Sequence, residues 1–262
     1  MTTDDLNEFT SWISTSTSLV FGDPRIAIRL PTKVDHSLSK SAPYKGNPRL
    51  GFLYQELCRR QFEQHPNYTV LAEEIQLQEG KRTLGAIDFL LQNQRNGDVE
   101  HWEVAIKFYL LKDGQWFGPN AKDRLDLKLS RMMHHQLMMS DTLAFQEQFP
   151  NHKPANKHLL MQGRLYINPF DCESVPTQCL ELDIDTANVS GRWCYQKDIH
   201  KLNEPMYVLP KHRWATGFID GESAMNKKPE ALVSWPGHFV HCQSESGVFW
   251  FIVPNDWPQS SM

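Results

Sequence analysis

Hydrophobic positions in the first quarter of the chain recur with helical spacing. A helix is predicted from Asp5 to Ile13, and a proline-punctuated arm, DPRIAIRLPTKV, follows it. A second helix is predicted from Asn47 to Gln64, because its apolar residues recur at near-helical intervals and the segment HPN then stops it. The apolar positions of this second helix are Leu50, Leu53, Leu57 and Phe62.

The next fifty residues have the shorter period of strands. Three segments are predicted to be extended, and their sequences are TVLAEEIQLQ, TLGAIDFLLQ and VEHWEVAIKFYLL. The third segment alternates strongly between apolar and polar residues. NGD between the second and third segments is a typical hairpin turn, so these two strands are predicted to pair antiparallel.

A helix and a strand complete the predicted core. Residues 122–140 are amphipathic, and HLLMQGRLYIN after them is typical of a strand. The order of helix, three strands, helix and strand favours an α/β fold with a mixed sheet flanked by helices. Short aromatic runs beyond residue 170 predict either a β-rich C-terminal lobe or strands added to the main sheet. We therefore divide the chain into an N-terminal helix and arm (1–45), a core (46–168) and a β-rich extension (169–262).

Composition indicates how large a core the chain can bury and in which cellular compartment we expect the protein. With 262 residues, 40% hydrophobic content, 8 Trp and 14 Phe, the chain can bury a large core. It has no apolar run of membrane-spanning length, and MTTDDLNEFTSW lacks the features of a signal peptide. We expect a cytoplasmic protein without a membrane partner. The five cysteines form no CxxC pair, so we expect structural thiols and no zinc ribbon.

Charge argues against a dedicated DNA-binding domain. Residues 1–160 carry 19 Lys and Arg against 19 Asp and Glu, and the whole chain has a formal net charge of -4. A strongly basic surface is therefore missing, and any nucleic acid would have to bind along a local basic stripe.

Three carboxylates and a lysine are the residues that point to chemistry. They are Glu56, Asp88, Glu103 and Lys107. On the third strand, side chains alternate between faces, so Glu103, Ala105 and Lys107 point the same way. Charges inside apolar strands are costly without a partner or a metal ion. Carboxylate oxygens are the ligands that hard divalent cations prefer, and a neighbouring lysine can stabilise charge on a phosphate.

The pattern LGFLYQE, TLGAIDFLL, WEVAIKFYLL and HHQL resembles the PD-(D/E)XK, or restriction-endonuclease-like, nuclease superfamily over residues 46–168. It looks like one of the uncharacterised bacterial families placed there. The resemblance implies an αβββαβ core and cleavage of DNA or RNA assisted by Mg²⁺ or Mn²⁺. It implies that Glu56, Asp88 and Glu103 are metal ligands, that Lys107 stabilises charge, and that Gln136 is auxiliary to catalysis.

One position departs from the pattern of that superfamily. The acid normally stands two residues before the lysine, where this chain has Ala105, and the nearest acid is Glu103. The Cα atoms of Glu103 and Lys107 are expected about 13 Å apart in a strand. Both side chains are long enough to lean over the small Ala105. The site is therefore either a migrated version of the motif or an inactive one.

A basic stripe is predicted on the helix after residue 120. Its members lie at i, i+4, i+7 and i+11 and are Arg124, Lys128, Arg131 and His135. Beside a metal site, such a stripe can hold a phosphate backbone. The alternative is an ordinary solvated helix face, which Asp123 and Asp126 on neighbouring turns favour.

Three hypotheses for the function remain open at this stage. The first is a Mg²⁺-dependent nuclease. The second is a catalytically inactive protein with the nuclease fold that binds nucleic acid or a protein partner, which Ala105 and the absence of strong positive charge favour. The third is a metal-dependent hydrolase of a small phosphorylated substrate.

Overall fold

The computed structural model describes residues 1–32, 42–218 and 237–259. Its four α-helices are α1 (Thr3–Thr15), α2 (Leu50–Gln64), α3 (Leu125–His134) and α4 (Leu143–Gln148). A 3-10 helix that is important for the site spans Gln136–Asp141, and shorter ones span Thr186–Asn188, Gln196–Lys201 and Lys211–Arg213.

Twelve strands are found in the described ranges. They are β1 (Val20–Phe21), β2 (Tyr68–Glu79), β3 (Arg82–Asn93), β4 (Val99–Lys112), β5 (Gln115–Phe117), β6 (Asn156–Ile167), β7 (Gln178–Cys179), β8 (Leu182–Ile184), β9 (Val189–Tyr195), β10 (Met206–Val208), β11 (Val240–Ser244) and β12 (Phe249–Val253).

Nine strands form one mixed sheet. Eight of them follow the order β10-β11-β12-β9-β6-β4-β3-β2, and β5 pairs with β4. The pairs β4–β6, β6–β9 and β9–β12 are parallel, whereas β2–β3, β3–β4 and the remaining pairs of the sheet are antiparallel. Strands β1, β8 and β7 form a second, small sheet. The predicted α/β class with a mixed sheet flanked by helices is confirmed.

The predicted elements agree closely with the structure in the core. Each of the three central strands extends over its predicted segment, and Gln92 pairs with Val99 across the NGD turn as expected for a hairpin. Of the two alternatives for the C-terminal strands, the structure has the second, since β9, β12, β11 and β10 extend the main sheet. Residues 231–236 of ALVSWPGHFVHC and residues 33–34 of the predicted arm lie outside the described ranges.

Helices cover both faces of the sheet near its centre. Phe62 of α2 contacts Phe89 and Trp102 on one face, with ring centroids 5.5 and 5.3 Å apart. On the other face, Leu125 and Leu129 of α3 are fully buried in a cluster that includes Ala105, Tyr109 and further apolar side chains of β4 and β6. Each such buried leucine or phenylalanine contributes about 1.5–3 kcal/mol to folding. The C-terminal aromatic residues Trp193, Trp250, Phe251 and Trp257 belong to the core and leave little surface exposed.

The predicted helix over residues 122–140 is shorter than expected. The α-helix ends at His134, and residues 136–141 form the tighter 3-10 helix after His135, whose φ and ψ are −127° and −61°. The reason is tertiary: the side chains of Gln136 and Met139 lie against β3, and Gly85 leaves room for them because a Cβ there would come within 3.1 Å of the Met139 sulfur. Within the described ranges, no helix combines the length and apolar character needed to cross a membrane.

Candidate active site

Strands β3 and β4 diverge beside the two acids that the sequence singled out. Their pairing runs from Gln92–Val99 to Phe89–Trp102 and ends there. Asp88 and Glu103 are the next residues on the two strands. Beyond this point β3 continues its pairing with β2 and β4 continues with β6. The two carboxyl groups therefore lie where two neighbouring strands of the sheet separate.

Side chains bridge the gap in place of backbone pairing. The Val104 N–H donates to Asp88 Oδ2 at 2.9 Å, and the Asp88 N–H donates to Glu103 Oε1 at a longer 3.4 Å. Gln136 Nε2 donates to the Ala86 carbonyl oxygen at 3.1 Å and reaches Glu103 Oε2 at 3.4 Å. The predicted residues Asp88, Glu103 and Gln136 thus do come together.

Glu103 is additionally held by His101, which is itself bonded to Ser140, and neither residue was predicted from the sequence. His101 Nε2 lies 3.0 Å from Glu103 Oε1, and His101 Nδ1 lies 2.9 Å from Ser140 Oγ. Burial lowers the pKa of His101 to about 4, so its ring is neutral at neutral pH. Alternation along β4 could have indicated His101, because it lies two residues before Glu103 and therefore on the same face.

The row of Ser140, His101 and Glu103 contains the residue types of a hydrolase triad, but it is closed to substrate. Their exposed fractions are 3%, 0% and 1%. A nucleophilic serine needs to reach a carbonyl carbon, and a buried hydroxyl cannot do so. The row therefore fixes the position of the Glu103 carboxyl group.

Both carboxyl groups are shifted toward their protonated forms. Asp88 keeps partial contact with solvent, but the surrounding protein displaces most of the water around it, and this desolvation raises its pKa to about 8. The nearby Glu103 charge adds to the rise. Burial likewise raises the pKa of Glu103 to about 7, against the opposing effects of the Gln136 hydrogen bond and the Lys128 charge. Desolvation is the largest cause in both cases, and the charge of the partner acid contributes at Asp88 alone.

Lys107 forms an ion pair with an acid outside the carboxyl pair, Asp123. Its ammonium nitrogen lies 2.6 Å from Asp123 Oδ2, and the Tyr109 hydroxyl donates to Asp123 Oδ1 at 3.2 Å. Ala105 lies between Glu103 and Lys107 on β4 and is 9% exposed. The lysine therefore faces the loop before α3, where Asp123 is found.

Glu56 is bonded within its own helix. Its carboxylate lies 2.8 Å from Arg59 Nε and 2.7 Å from Arg60 Nε, and these bonds help to lower its pKa. Among the residues that the structure describes, no three His, Cys, Asp or Glu side chains converge on a common metal position. The predicted trio of Glu56, Asp88 and Glu103 is thus not assembled, whereas the pair Asp88 and Glu103 is.

The predicted basic stripe divides into separate environments. Arg124 precedes α3 and is paired with Asp126 at 2.6 Å, with its guanidinium 5.7 Å from the centre of the Phe117 ring. Arg131 and His135 are exposed. Lys128 is half-buried, and its positive charge acts on both Asp88 and Glu103.

Comparison with known proteins places the chain in a family without naming an activity. No curated protein and no solved structure matches it. Residues 29–242, which include the divergence of β3 and β4 and most of the C-terminal strands, match the DUF1853 model, described as a domain of unknown function. The chain belongs to the DUF1853 family.

Proposed function

We propose that this protein is a Mg²⁺-dependent phosphodiesterase that cleaves DNA or RNA, with a restriction-endonuclease-like core. The observation that carries the proposal is the Asp88–Glu103 pair. Two carboxyl groups meet at the divergence of β3 and β4, and no Lys or Arg nitrogen of the described residues lies within ion-pair distance of either. The order of α2, β2, β3, β4, α3 and β6 supports the same scaffold.

The residues fit a magnesium ion better than a metal that needs a full protein cage. Mg²⁺ is usually held by one or two carboxylates, with water and substrate phosphate as the other ligands. Asp88 and Glu103 would hold the cation, and Glu56 is not required. When bound there, the cation would neutralise charge on the phosphate and make a water molecule more acidic.

The protein's own groups would position the reactants. His101 and Gln136 hold the Glu103 carboxyl group from two sides, and the Val104 N–H holds that of Asp88. Hydrolysis forms a P–O bond to a water oxygen and breaks the P–O bond to a sugar oxygen. The water loses a proton to solvent and the leaving oxygen gains one. One lysine ammonium group beside the pair would stabilise the extra negative charge that develops on the phosphate.

The direct test is cleavage of labelled single- and double-stranded DNA and RNA with Mg²⁺ or Mn²⁺ against EDTA. We expect metal-dependent cleavage that falls at least about 100-fold in Asp88→Asn and in Glu103→Gln. Glu147→Gln, which changes an exposed acid on α4, is the matched control and should cleave like the wild type. Cleavage that persists in EDTA or in purified Asp88→Asn would contradict the proposal.

Metal binding gives a second measurement that does not depend on substrate. An ion that binds only the folded state stabilises it by about 2.7 kcal/mol at a concentration of 100 times Kd. Mg²⁺ or Mn²⁺ should therefore raise the melting temperature of the wild type and of Glu147→Gln. It should leave that of the Asp88→Asn, Glu103→Gln double variant unchanged.

A second candidate function has its own supporting observation. Lys107 is paired with Asp123, and the buried Ala105 occupies the position of the usual acid. These features favour a catalytically inactive protein that keeps the nuclease fold and binds nucleic acid or a protein partner. Oligonucleotide binding that is unchanged by EDTA and by the double variant, without cleavage in any metal, would support this alternative.

A further inference from the structure

Two lysines lie near the carboxyl pair, and their surroundings differ. The Lys107 ammonium is neutralised by Asp123 at 2.6 Å, and that carboxylate is also held by Tyr109. In the described part of the chain, Lys128 forms no hydrogen bond or ion pair with an acid. Only one of the two ammonium groups is therefore free to meet a new anion.

Lys128 lies on the helix α3, which covers the β4 face of the carboxyl pair. It lies between Leu125 and Leu129, which are fully buried against the face of β4 that carries Glu103, Ala105 and Lys107. Ala105 belongs to the same apolar cluster as these two leucines. Lys128 therefore lies on the buried side of a helix that covers the part of β4 where Ala105 offers only a methyl group.

The electrostatic surroundings support this placement. The charge of Lys128 lowers the pKa of both Asp88 and Glu103, and these two acids in turn raise the pKa of Lys128. Desolvation and the like charge of Lys107 oppose that rise, and the net pKa of Lys128 is lowered. A half-buried ammonium without a bonded anion is costly, and a phosphate oxygen would relieve that cost.

We propose that Lys128, rather than Lys107, is the cation that contacts the phosphate group at the Asp88–Glu103 pair. This inference rests on the proposed function and assigns its charge-stabilising role to a residue of α3. The Lys107–Asp123 pair then has a structural role, in which it ties the loop before α3 to β4.

The test compares variants that remove each lysine. Lys128→Met should lower metal-dependent cleavage at least about 100-fold, which is the usual cost of removing one transition-state donor. The double variant Lys107→Met, Asp123→Asn removes the other ion pair without changing net charge, and it should cleave within about threefold of the wild type. Circular dichroism and thermal melting identify any variant that fails to fold.

Binding of Mn²⁺ alone, followed by electron paramagnetic resonance, provides a readout independent of cleavage. Because Lys128 repels a cation at the carboxyl pair, Lys128→Met should bind Mn²⁺ about tenfold more tightly than the wild type. Lys128→Arg keeps the charge and should bind like the wild type. The Lys107→Met, Asp123→Asn variant should also bind like the wild type, since it removes a neutral pair.

The outcomes separate this inference from the proposed function. If the wild type cleaves and the Lys107 variant loses cleavage while Lys128→Met keeps it, or if both lose it, the assignment of Lys128 is overturned and the nuclease proposal stands. If the wild type cleaves no substrate, the nuclease proposal fails. Tighter Mn²⁺ binding by Lys128→Met would then still place Lys128 at the carboxyl pair, and unchanged binding would overturn that placement.

Discussion

The Asp88 carboxylate accepts a hydrogen bond from the Val104 N–H at 2.9 Å, which joins β3 to β4 at the point where their backbones part. A side-chain hydrogen bond thus replaces a backbone hydrogen bond that is missing between the two strands. The bond satisfies a backbone donor that would otherwise be unpaired. It also brings a second carboxyl group next to Glu103, and this arrangement has consequences for stability that can be measured.

Stability should fall with rising pH because of this pair. The pKa of Asp88 is raised from 3.8 to about 8 and that of Glu103 from 4.5 to about 7. Each acid holds its proton to higher pH in the folded state, so the free energy of unfolding decreases as pH rises between its unfolded and folded pKa. His101, with a pKa lowered from 6.5 to about 4, acts in the opposite direction below pH 6.5. The window that isolates the acids is therefore pH 6.5–8.

Guanidinium unfolding in EDTA over that window is the measurement. Each extra proton bound by the folded state changes the free energy of unfolding by about 1.4 kcal/mol per pH unit. Relative to the Asp88→Asn, Glu103→Gln double variant, the wild type should lose about 2–2.5 kcal/mol as pH rises. Parallel profiles for the two proteins would show that the pair is not protonated in the folded state.

Local rules predicted much of the site, and tertiary contacts decided the rest. Alternation along β4 places Glu103 and Lys107 on one face, and the NGD turn fixes the antiparallel pairing that brings Asp88 beside Glu103. The Asp123 partner of Lys107 lies in a loop 16 residues later, and no local pattern indicates it. The local pattern also does not indicate where α3 ends, because contacts of Gln136 and Met139 with the sheet outweigh the amphipathic pattern of residues 122–140.

Glu56 shows that a local sequence pattern can support two interpretations, a metal ligand or a partner in ion pairs along its own helix. Arg59 and Arg60 lie three and four residues after it, which is the spacing of ion pairs on a helix surface, so the sequence itself contained this alternative. We expect Glu56→Ala to leave Mn²⁺ affinity unchanged and to cost less than about 1 kcal/mol in unfolding free energy. Glu63→Ala, which removes another partner of Arg59, is the matched control. Weaker metal binding by Glu56→Ala alone would restore Glu56 as a ligand.

His101 should contribute more to stability than its two hydrogen-bond contacts alone suggest. Replacing it with leucine leaves the Ser140 hydroxyl without its partner, and Glu103 keeps only the longer contacts from Gln136 and the Asp88 N–H. Each of the two lost buried hydrogen bonds costs about 1–3 kcal/mol, so His101→Leu should lower the free energy of unfolding by about 2–6 kcal/mol. Ser140→Ala removes only the outer bond and should cost about 1 kcal/mol. Denaturant unfolding at pH 7 gives both values, and equal losses would contradict a role for His101 in holding Glu103.

Gly163 controls how closely β6 approaches β4 beside Lys107. The two residues are partners in the parallel pairing, and a Cβ on Gly163 would lie only 1.6 Å from the Lys107 carbonyl oxygen. The three nearest atoms are all backbone atoms of Lys107, so no flexible side chain can move away. Gly163→Ala therefore has to separate the strands and should cost more than about 3 kcal/mol, through overpacking and lost pairing.

Gly97→Ala is the matched control for this substitution. Gly97 has a φ of +76° in the hairpin turn, but a Cβ there meets no atom of the described residues within 4 Å. Its substitution should cost about 1 kcal/mol, from backbone strain alone. Thermal and denaturant unfolding of the two variants compares steric exclusion with strain. A loss for Gly163→Ala no larger than that for Gly97→Ala would mean that β4 and β6 are not held this closely in solution.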